Sequence, residues 1–174
     1  MTGRRLVPGD PASVAALATS ARATARDLER VLPPLLEAAL PTEAPRRAAR
    51  DLARRRDLLG EATTTGREEL AHVGDILQDH AGQLADDLHA LRSLLERGTR
   101  AGLVLEGTRW RPDWGITGTV DPGAESRVEE TRAALQRETE VILHRAARRR
   151  AELGQALRGS TTRLAGAAAD LRHG

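Results

Sequence analysis

The stretch HVGDILQDHAGQLADDLH, residues 72–89, holds the side chains whose types could do coordination chemistry. His72, Asp75, Asp79, His80, Asp86, Asp87 and His89 offer nitrogen and oxygen donors, and His72 and Asp75, three apart, share a helix face. Helical zinc sites use such spacing, usually through a His-x-x-x-His pair that locks two imidazoles on one face. That pair is absent here, and His80 falls on an apolar stripe, where a polar residue more often sets helix register. No metal or cofactor is expected. Catalysis finds no foothold either, since the chain has no cysteine, no Gly-x-Ser-x-Gly elbow, no Walker loop and no dinucleotide fingerprint.

Trp110 and Trp114 carry the second signal. They are the chain's two tryptophans, set in RWRPDWG (109–115), while Phe and Tyr are missing altogether. One reading makes them a plug that closes the end of a helical bundle, each indole N–H finding a nearby carbonyl. The other makes Trp110, Trp114 and Gly115 an exposed anchor for a partner, because Trp and Arg dominate interface hot spots. The two readings are compatible if one ring packs and the other projects.

The elements that must position these residues read as long helices. Asp10 and Pro11 form a cap and first-turn proline. Val14, Leu17, Ala21, Thr24, Leu28, Val31 and Leu35 then recur in steps of three and four. This predicts a helix over 10–32, ended or kinked at Pro33-Pro34. A second helical stretch over 42–97 carries the seam Leu70, Val73, Leu77, His80, Leu84, Leu88, Leu91 and Leu95. LGEATTTGRE puts two glycines and three threonines in its path and predicts a break near 60–66. Gly98 reads as the residue that stops this helix. Asp121-Pro122 opens a third helix over 121–172, with Val128, Thr131, Leu135, Glu138, Ile142, Ala146, Arg149, Leu153, Leu157, Ser160, Leu164 and Leu171 on its seam. Between the long helices lies a tip loop over 98–120. There Leu103-Val104-Leu105 and residues 116–120 read as the strands of a small β-hairpin turned by RPDWG. The expected fold is a single all-α domain, an elongated antiparallel helical hairpin with the first helix on its flank.

Composition agrees with that architecture. Charged residues make up 30% of 174, and without Phe or Tyr any core has to be a thin seam of Ala and Leu. The basic residues are all Arg, which points to a GC-rich genome; the net charge is only +2, which gives little electrostatic drive towards nucleic acid. Two arginine runs, at 46–56 and 144–150, would form one basic band if the long helices are antiparallel. No run approaches the ~20 apolar residues of a membrane-spanning helix. MTGRRLVPGDPAS has no apolar core of a Sec signal, so the expected location is the cytoplasm, or outside the cell by a route that needs no such signal.

The opening GDPASVAALATSARATARDLERVL resembles the first helix of actinobacterial proteins of the WXG/ESX superfamily, the small helical substrates of type VII secretion. That family is built on a helical hairpin whose turn carries Trp-x-Gly. Here Trp114 and Gly115 are adjacent, and no tyrosine is present for the family's Tyr-x-x-x-acidic export signal. The resemblance implies a helical protein–protein interaction protein, a secretion substrate or accessory partner that binds another helical chain. Polar seam positions such as Thr24, His80, Thr131, Glu138 and Arg149 fit a bundle completed by a partner or a second copy. The rival expectation is an Arg-rich cytoplasmic coiled-coil protein with a structural or nucleic-acid-associated role.

Overall fold

A computed structural model describes residues 6–38, 45–113 and 122–173. Its elements are α1 (Pro11–Ala38), α2 (Arg46–Arg100), β1 (Leu103–Glu106), β2 (Arg109–Pro112) and α3 (Pro122–His173). The all-α expectation is met, with one two-stranded antiparallel sheet among the described residues. None of these helices is long and apolar enough to cross a membrane. The chain divides into two compact units, one of Met1–Pro11 with Gly82–Ala151, the other of Ala12–Ala81 with Glu152–Gly174.

In the first unit, the C-terminal part of α2 and the N-terminal part of α3 run antiparallel, as their cross-links show. Arg97 pairs with Glu138 through two bonds of 2.7 and 2.9 Å, and Asp87 is met by Arg145 and Arg149 further along α3. Their seam buries Leu84, Leu91, Leu94, Leu135, Ile142 and Ala146, closed by Leu103 and Trp110 from the hairpin and by Val7 from the segment before α1. Gly9 adopts a φ of 127°, and a Cβ there would stand 3.0 Å from Leu84 Cδ2. Glycine is what lets the chain lay Val7 into the seam and then turn into α1.

In the second unit, α1 approaches α2 through small residues. Ala18 and Ala25 are buried, and a side chain at Gly74 would collide with Arg22 Cγ and lie 3.1 Å from the Ala18 carbonyl. Arg22 crosses Gly74 to reach Asp75 at 2.8 and 3.0 Å. The buried face of α1 is thus its alanine face. Leu17, Val31 and Leu35 from the expected seam are exposed, because the close approach of α1 at Gly74 is made by its alanine face, with Leu28 half-buried near Gly66.

Three expected interruptions differ from the structure. α1 continues through Pro33 and Pro34 to Ala38. Both prolines are exposed, so the carbonyls of Glu29 and Arg30 that lose their helical donors face water. α2 has no break at 60–66; Thr63 donates to the Leu59 carbonyl at 2.7 Å, which satisfies its hydroxyl within the helix. Gly98 does not stop α2, which runs on to Arg100 and ends at Gly102, whose φ of 67° and N–H to the Thr99 carbonyl (3.0 Å) mark the true terminus.

Candidate functional site

The tip of the first unit is built from the hairpin upward. β1 pairs with β2 in the register Leu103↔Pro112, Leu105↔Trp110 and Glu106↔Arg109. The turn is therefore the two residues Gly107 and Thr108, with Gly107 at φ 62° as a type II′ turn demands of its first position. Of the expected turn RPDWG, Arg111 and Pro112 instead belong to the second strand. Residues 116–120, assigned above to that strand, lie outside the described residues. Alternation puts Leu103, Leu105 and Trp110 on the helix-facing side, and leaves Glu106 and Arg111 on the other, paired at 3.3 Å.

Trp110 is 2% exposed. Its six-membered ring lies on Gly98, where an added Cβ would stand 2.9 Å from Cε3 and closer still to Cζ3 and Cη2. Its indole N–H donates to Oγ1 of Thr139 at 2.9 Å, and the Thr139 hydroxyl, itself fully buried, donates onward to the Leu135 carbonyl at 2.8 Å. The backbone N–H of Trp110 donates to Gln136 Oε1 at 3.2 Å, while Gln136 Nε2 donates to the Thr108 carbonyl at 3.1 Å and to Glu140 at 2.8 Å. Gln136 thus clips the hairpin to α3 as a third strand would. Trp110 is the plug of the first reading. The structure corrects its assignment as an exposed partner anchor, because the enclosed ring has no face left for another molecule. Trp114 and Gly115 lie outside the described residues.

The candidate ligand residues are spread across both units. His80 is half-buried on α2, while His72, His89, Asp75 and Asp86 face outward. Among the described residues no three His, Asp or Glu side chains converge to hold a metal. Glu69 precedes His72 by three residues, a spacing metal sites also use, but its carboxylate is gripped by Arg163 through both Nε and Nη2. Hydrogen bonding from Arg163 outweighs desolvation and draws the Glu69 carboxyl from 4.5 down to about 2. Arg97 likewise holds the Glu138 carboxyl below the usual range, first by hydrogen bonding and then by its charge.

Asp87 is the deepest charge of the first unit, at 2% exposure. Arg145 reaches it with Nε at 3.0 Å, and Arg149 Nη1 lies 3.3 Å from both oxygens. Two members of the 144–150 arginine run are therefore committed to the unit's own interior, not to an outside anion. Half-buried Arg149 is paired within its own unit, as is Glu138 through Arg97, whereas Thr24 and Thr131 are exposed.

Several large apolar side chains on the helices are exposed. Leu17, Val31 and Leu35 on α1 are 59, 51 and 55% exposed, and Val141 on α3 is 63% exposed. No family model, curated protein or solved structure matches the chain.

Proposed function

We propose that this chain is a helical protein–protein interaction protein that docks a helix of another protein, in the setting of type VII (ESX-like) secretion that its opening helix resembles. One observation carries the docking reading: α1 buries Ala18 and Ala25 in its own unit and leaves Leu17, Val31 and Leu35 exposed, while Val14, Leu28, Leu32 and Leu36 are half-buried. Leu17, Thr24 and Val31 recur every seven residues and Leu35 follows four later, so one face of α1 carries a coiled-coil stripe. Exposed apolar groups in a periodic line on one helix mark a helix-docking surface better than scattered ones do. In this reading the chain acts as a type VII secretion substrate or as an accessory partner of one.

The test mixes the purified chain with a purified small WXG-type protein and follows binding by sedimentation velocity. Leu17→Glu with Val31→Glu should weaken complex formation at least about tenfold while helical circular dichroism stays unchanged, and binding should persist in high salt. Retained binding in that double variant would remove α1 as the docking face. Binding to DNA that falls steeply with salt, without any helical partner, would favour the nucleic-acid-associated alternative.

A further inference from the structure

On α3, within the first unit, Glu130, Ala134, Arg137, Val141, His144 and Arg148 recur in steps of four, three, four, three and four. That is the period of a coiled-coil seam, lying on the surface: Ala134 is half-buried and the other five are exposed. Val141 sits at its centre with 63% of its surface open, in a shallow groove lined by Arg137, Glu140, His144, Arg145 and Arg148.

The charges along this stripe are arranged about its middle. An antiparallel second copy, its two-fold axis level with residue 139, sets Glu130 against Arg148, Ala134 against His144 and Arg137 against Val141, each relation occurring twice. The ends then carry opposite charges, the small alanine makes room for the imidazole, and each Val141 packs on the aliphatic stem of an arginine. A parallel copy in register would put Arg137 on Arg137, Arg148 on Arg148 and Glu130 on Glu130, which like-charge repulsion disfavours. Self-complementarity of one patch is what an isologous dimer requires. The five donors of the Arg148 guanidinium let it accept a carboxylate from the second copy while keeping a contact on its own chain.

We infer that the 130–148 face of α3 is a homodimer interface, formed antiparallel with a second copy of this chain through paired Glu130–Arg148 contacts around Val141. Only one exposed valine per chain lies at its centre, so the dimer is weak and concentration-dependent. This surface uses none of the α1 residues, so it stands or falls separately from docking of another protein.

Sedimentation equilibrium on the full chain tests it. The wild type should move from monomer to dimer as concentration rises. Glu130→Arg alone, or Arg148→Glu alone, places like charges together twice per dimer and should weaken association about tenfold or more, with unchanged circular dichroism. Mixing the two single variants in equal amounts should restore a dimer, because each chain then meets its opposite charge at both ends. The double variant should also dimerise. A chain that stays monomeric up to its solubility limit overturns the inference. So does a dimer indifferent to either substitution, or one that mixing fails to restore.

Discussion

Gly98 and Trp110 occupy a single space. The indole ring fills the volume that any side chain on residue 98 would take, so the last turns of α2 accept a glycine that helix propensity alone would reject.

Two glycines on α2 therefore answer the same substitution with opposite signs. Gly98→Ala should destabilise by roughly 1–3 kcal/mol, since the rigid ring must shift, partly offset by the gain in helix propensity. Gly82→Ala, where nothing lies within 4 Å of the added methyl, should stabilise by about 0.5–1 kcal/mol. Urea unfolding of the two variants side by side reads the difference directly.

Trp110 should emit to the blue and resist acrylamide in a Trp114→Phe background, where it is the remaining fluorophore. Thr139→Val should cost about 1–3 kcal/mol by stranding the indole N–H, and Trp110→Ala about 3–5 kcal/mol by emptying the seam's end. Emission at the wavelength of a solvated indole in the folded protein would contradict the closed tip.

Removing the Asp87 carboxylate leaves two guanidinium groups facing one another. Asp87→Ala should destabilise by about 2–3 kcal/mol, less than the ~3–5 of a fully dry pair because the Arg145 side chain keeps 39% of its exposure. Asp87→Leu combined with Arg145→Leu should recover much of that loss, and chemical denaturation of the single and double variants separates charge from packing.

Acid should act through Glu69. Its folded carboxyl lies at about 2 against an ordinary 4.5, so the ionised form is favoured by folding. The stability it adds is complete above about pH 4.5 and is lost as pH falls towards 2. Arg163→Gln should flatten the stability profile in that window and leave it unchanged in slope above it.

How far the sequence spoke for itself depended on side-chain size. The α2 seam was legible because Leu77, Leu84 and Leu91 are large and periodic, and all three are buried. On α1 the same period misled. Ala18 and Ala25 look neutral beside Leu17 and Val31, and only the glycine at position 74 of another helix decides which face closes. Thr139 and Asp87 gave no apolar signal at all, since a polar group is buried where its partner stands, and the partners are 29 and 58 residues away. The hairpin register was within reach. Gly107-Thr108 between LVLE and RWRP has the two-residue turn chemistry that outranks the longer RPDWG. Trp110 was correctly placed at a tip, but which of its neighbours would enclose it was written in Gly98, a residue legible only as a stop.

The cross-links of the first unit span progressively longer stretches of chain. Trp110 to Thr139 spans 29 residues, Arg97 to Glu138 spans 41, and Asp87 to Arg145 spans 58. Loop-closure entropy grows only logarithmically, so once the innermost pair is made each outer one adds a small further ordering cost. Such a ladder should close from the tip outward. Kinetically, substitutions at Thr139 should slow refolding, whereas those at Asp87 should chiefly hasten unfolding. Stopped-flow traces of Trp110 emission would reveal the opposite order if the chain closes from its far end.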